Sequence, residues 1–202
     1  MKAFKIFVPF LLLITASCVT LVKWKYGITE PREETPASLL KFLQKMNQPP
    51  EDFYIFKDSA AFCHYLNDSV FRKNLIGSLF FNQEGLLTDI KDTAKCQWSV
   101  SSFLQNLDHK RAFKVDSAYR YQNVLSHLMP LVRNGITDSL LGSYNYIVLI
   151  TWGRFAGKLN KRLFDAAEMA NEKRNKGVHI AFINIDMQKS WKLRKNQKMI
   201  LK

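Results

Sequence analysis

The sequence predicts an α/β domain, a central sheet flanked by helices, behind an N-terminal membrane anchor. Three observations carry this expectation. Asn145 to Thr151 contains Tyr-Ile-Val-Leu-Ile, a continuous apolar run rich in β-branched residues, as a strand buried on both faces of a sheet requires. Val178 to Asp186 is a second run of the same kind. Between them Leu159, Leu163, Phe164, Ala167 and Ala170 share one side of a helix from about Ala156 to Lys176, with Gly177 where a C-cap belongs, so that strand, helix and strand form a crossover unit. At 202 residues and 47% hydrophobic the chain can bury one core, which excludes a disordered or collagen-like class.

In chain order, Lys2 and Lys5 precede an apolar run from Ile6 to Val22 that ends at Lys23-Trp24-Lys25-Tyr26. A basic start followed by such a run is an export signal, and its length lies at the lower limit for spanning a bilayer. Ile14-Thr15-Ala16-Ser17-Cys18 resembles a bacterial lipoprotein processing site, with Thr15 where Leu, Val or Ile is usual. Three outcomes stay open: a lipoprotein acylated at Cys18, an uncleaved anchor, or a cleaved signal. Each places the bulk of the chain outside the cytoplasm, membrane-attached at the periplasmic face in the first two. Nucleic acid is then disfavoured as a partner, despite a net charge of +13.

Residues 1–26 form this targeting segment, 27–50 a polar spacer with a docking helix, and 51–202 the α/β domain. Thr35 and Pro36 are the N-cap and first position of a helix bearing Leu39, Leu40, Phe42, Leu43 and Met46, which Asn47 and Pro49-Pro50 stop. Phe53 to Phe56 reads as a strand, and Asp58 or Ser59 caps a helix through Leu66. Two apolar runs around Asn82-Gln83-Glu84-Gly85 predict a hairpin from Leu79 to Ile90. Ser99 starts a helix through Leu107, and Asp116 or Ser117 starts another that Pro130 ends. After the second buried strand, Met187 to Lys202 reads as a basic helix. Its lysines and arginines, with Trp191, Leu193 and Ile200 among them, suit an anionic membrane surface, or else a solvated tail.

The stretch from Ile147 through Trp152, Ala156, Gly157 and Leu163, with the strand ending Asn184-Ile185-Asp186, resembles the redox-site segment of thioredoxin-like proteins, above all membrane-anchored extracytoplasmic thiol-disulfide reductases. Aligned on Trp152, Phe155 takes the motif's tryptophan position, Ala156 the first cysteine, Gly157 the glycine, Lys158 the proline and Leu159 the second cysteine. The resemblance implies a thioredoxin-like sheet. Because the hairpin lies upstream of the crossover, the order is permuted or atypical. Thiol exchange needs a thiolate, and Ala156 and Leu159 offer none. The resemblance therefore implies a redox-inactive module that binds a protein or peptide through Trp152, Arg154, Phe155 and Lys158. The alternative is a thiol-disulfide oxidoreductase or peroxiredoxin-related protein working through Cys63 and Cys96.

With Cys18 assigned to the membrane segment, Cys63 and Cys96 are a candidate disulfide worth about 3 to 4 kcal/mol, or else two separate buried thiols. His64, His109, His127 and His179 lack metal-ligand spacing, and no glycine-rich phosphate loop occurs, so no metal and no cofactor is expected.

Overall fold

In the computed structural model, residues 20–21, 23–73, 77–89, 114–132, 144–172 and 177–194 are described. The elements run β1 (Glu33–Glu34), α1 (Pro36–Lys45), β2 (Phe53–Phe56), α2 (Ser59–Asn67), α3 (Ser69–Lys73), β3 (Ser78–Asn82), β4 (Leu86–Asp89), β5 (Lys114–Arg120), α4 (Tyr121–Leu125), β6 (Leu128–Pro130), β7 (Tyr146–Trp152), α5 (Leu159–Glu172), β8 (Val178–Asn184) and β9 (Met187–Gln188). Seven strands form a mixed sheet in the order β5-β4-β3-β7-β8-β2-β6. β7, β8 and β2 are parallel to one another, and every other pairing in this sheet is antiparallel, while β1 and β9 form a separate parallel pair.

The apolar runs become the middle of this sheet because both of their faces are covered. Val148, Ile150 and Trp152 of β7, with Ile180 and Phe182 of β8 and Phe53 and Ile55 of β2, pack against Leu39 and Leu43 of α1 and Phe164 of α5. The alternate residues Ile147, Leu149, Ala181, Ile183, Tyr54 and Phe56 pack with Phe62 and Tyr65 of α2, Phe71 of α3 and Tyr121 of α4. This is the period-two division of a strand between two helical layers.

Local signals account for several elements. Thr35 closes a capping box on α1 with Ser38, and Pro36 opens the helix. Asp58 caps α2 by accepting the Ala61 amide. In the β3–β4 hairpin, Asn82 Oδ1 accepts the amides of Glu84 and Leu86, and Gly85 has φ 74°.

Three expectations need correction. Residues 114–120 form β5 instead of the start of a helix, because they pair with β4 from Leu86 to Asp89, and Asp116 Oδ1 takes the Ala118 amide in a local turn. The helical part is only α4. Met187 to Trp191 form β9 and a 3-10 turn, since Met187 and Gln188 pair with β1. α5 begins at Leu159, because Arg154–Ala156 make a separate 3-10 turn and Gly157 takes φ 56° and ψ −126°. Helix α1 docks through Leu39 and Leu43, which are fully buried in the core. The helix expected at Ser99 to Leu107 lies outside the described residues. Among the described residues no helix is long and apolar enough to cross a membrane, and of the apolar run 6–22 only residues 20 and 21 are described.

Candidate functional site

The site forms where the C-terminal ends of β7 and β8 meet the start of α5. Trp152, the last residue of β7, is fully buried, stacked on Phe42 at 5.7 Å and edge-on to Phe53 and Phe164. It therefore belongs to the core and not to the binding surface expected of it: at position 152 the strand turns its side chain toward the α1/α5 layer. Ala156 is buried, Leu159 and Phe155 are half-buried, and Lys158 is exposed. The two degenerate motif positions thus present only hydrocarbon.

Asp186, just beyond β8, organises the backbone. Its Oδ2 accepts the Arg154 amide and the Asn184 side-chain amide, each at 2.8 Å. Gln188 donates to Asn184 Oδ1 and to the Asp186 carbonyl, and Asn160 donates from α5 to the Gly153 carbonyl. Asp186 Oδ1 is buried without a partner. Burial raises the Asp186 carboxyl to about 6, with the hydrogen bonds from Arg154 and Asn184 opposing the rise and the Glu34 charge adding to it. The Arg154 guanidinium is ion-paired with Glu34, which also accepts from Ser38 Oγ, and it lies 5.5 Å from the centre of the Phe42 ring.

The expected spacer is laid down on this same face. The Lys158 amide donates to the Tyr26 carbonyl at 2.7 Å, the Thr29 amide donates to the Phe155 carbonyl at 2.9 Å, and Glu33 and Glu34 pair in parallel with Met187 and Gln188. Gly157 is where the two backbones cross: a Cβ there would run into the carbonyls of Tyr26 and Gly27. Beside this strap a cleft of about 290 Å³ is lined by Ser38, Lys41, Phe42, Lys45 and Arg154. A second, of about 230 Å³, lies between the strap, Phe42, Phe155 and Asp186.

The structure therefore brings Arg154 and Phe155 to one cleft, leaves Lys158 exposed outside it, and adds Glu34, Phe42, Asn184, Asp186 and Gln188, to which sequence reasoning gave no place in a site. A signal for three of these existed: Asn184, Asp186 and Gln188 are polar at alternate positions from the end of an apolar strand onward. Glu34 carried no such mark. Cys63 is a free, half-buried thiol on α2, while Cys96 and Cys18 lie outside the described residues. His64 and His127, 63 positions apart, come within 4.7 Å ring to ring. Among the described residues no group of three or more His, Cys, Asp or Glu could hold a metal. No protein-family model, no curated protein and no solved structure matches this chain.

Proposed function

We propose that this chain is an extracytoplasmic, membrane-attached module of thioredoxin-like type that binds polypeptide and carries no redox dithiol. The observation that carries the reading is the strap: the face around Phe155, Gly157 and Lys158 already engages an extended segment through backbone hydrogen bonds and strand pairing, the general means by which folded domains take up extended chains. The parallel β7-β8-β2 core, with the β3–β4 hairpin antiparallel beside β7, supports a thioredoxin-like sheet in permuted chain order. The hydrocarbon at Ala156 and Leu159 supports binding without exchange.

Since residues 26–34 cover the backbone of the turn from Phe155 to Lys158, the surface open to a polypeptide partner is the neighbouring cleft. Lys41, Phe42, Lys45 and Arg154 line it, and with Arg154 paired to Glu34 the two lysines leave a net positive lining that suits an acidic extended segment. Fluorescence polarisation of labelled acidic peptides against the full chain in detergent tests this. Lys41→Glu with Lys45→Glu should weaken binding at least several-fold, and unchanged affinity removes the cleft as the site. Insulin reduction that alkylation abolishes would overturn the non-catalytic reading.

A further inference from the structure

The connection between the apolar run and the domain has no slack. The run ends at Val22, and Tyr26 is already fastened to the Lys158 amide. Residues 23–26 are helical, a rise of roughly 6 Å at 1.5 Å per residue. The next residues are held in turn, Thr29 on Phe155 and Glu33–Glu34 on β9. A domain so fastened cannot hang from its membrane segment on a flexible tether.

The surface around this junction has a definite composition. Trp24 is 81% exposed and Leu21 60% exposed, and the exposed Lys23 and Lys25 flank Trp24 on both sides. On α5 and the turn before it, Lys158 and Arg162 are exposed one turn apart, and the Arg162 guanidinium lies 5.5 Å from the Tyr26 ring centre. Neighbouring Lys161 is matched by Asp165, so it adds little net charge. Single apolar side chains spaced between cations make a poor core for a protein interface. They suit a bilayer surface, where an indole rests at headgroup level and lysine and arginine reach the phosphates.

We infer that the start of α5, with residues 20–21 and 23–26, forms a bilayer-seated face, so that the folded domain rests directly on an anionic phospholipid surface. The inference builds on the membrane attachment proposed above. It adds which face of the domain meets the lipid, and it assigns the lipid contact to Trp24, Lys158 and Arg162. Basic residues held near such a surface are drawn to its phosphates, an attraction that salt screens.

Site-specific photo-crosslinking tests it. Full-length chain carrying p-benzoylphenylalanine in place of Lys158, Arg162 or, as control, the exposed Gln122 of α4 is reconstituted into vesicles rich in phosphatidylglycerol or made of phosphatidylcholine alone. The inference expects positions 158 and 162 to label lipid several-fold more than position 122, and more strongly in the anionic vesicles. Quenching by brominated lipid is read alongside, and most of it should be lost in Trp24→Phe. Chain that floats with vesicles yet labels lipid equally at all three positions overturns the seated face and leaves the attachment standing. Chain that does not float defeats the attachment itself, and the seated face with it.

Discussion

Replacing Asp186 by Asn tests the most unusual group in the site. The residue is 1% exposed, one carboxyl oxygen has no partner, and burial raises the carboxyl from 3.8 to about 6 in the folded protein. The folded state thus holds this proton more tightly than the unfolded chain does. Between these two values the unfolded state is the first to ionise, so the stabilisation is complete below about pH 3 and is lost as pH rises to about 6. The gap corresponds to about 3 kcal/mol between the two plateaus. In Asp186→Asn the amide oxygen can still accept from the Arg154 amide and from Asn184, and no charge has to be buried at neutral pH. The difference in stability between variant and wild type should therefore move in the variant's favour by about 3 kcal/mol from about pH 3 to about pH 8. Urea unfolding of the full chain in detergent, followed by tryptophan fluorescence at a series of pH values, measures it. Every other titrating group is common to both proteins, so curves that run parallel across this range would refute a buried, proton-holding Asp186.

Two further outcomes follow from the packing. Gly157→Ala places a side chain at φ 56° and against the carbonyls of Tyr26 and Gly27, which should cost about 1–3 kcal/mol and loosen the strap; limited trypsin digestion should then cut faster at Arg32, while unchanged protection would mean that the strap does not depend on this crossing. Leu39→Ala should lower stability by about 2–5 kcal/mol in urea, since Leu39 is fully buried beneath α1, and a negligible loss would return α1 to the role of a peripheral docking helix.

Contacts between near neighbours were readable from the sequence. The Thr35 and Asp58 caps, the Asn82–Gly85 turn and the two buried strands around an amphipathic helix all depend on residues within a few positions of one another, or on apolar runs that no other environment would accept. The site was only partly readable. Arg154, Phe155 and Lys158 follow β7 directly and could be placed from its end, whereas Glu34 reaches Arg154 across 120 positions. Residues 114–120 show the same limit from the other side. Asp116 and Ser117 are reasonable helix caps taken alone, and the waiting edge of β4 is what draws them into a strand.

By itself the sequence determined an α/β class, a strand-helix-strand unit, a hairpin and the absence of sulfur at the start of α5, because composition and short-range hydrogen bonding decide these. Tertiary structure alone decided that the hairpin lies beside β7, that Trp152 faces inward, and that residues 26–34 cover the site. Those facts are registers between strands and straps far apart in the chain, selected by which surfaces can be buried together, and no local pattern records that choice.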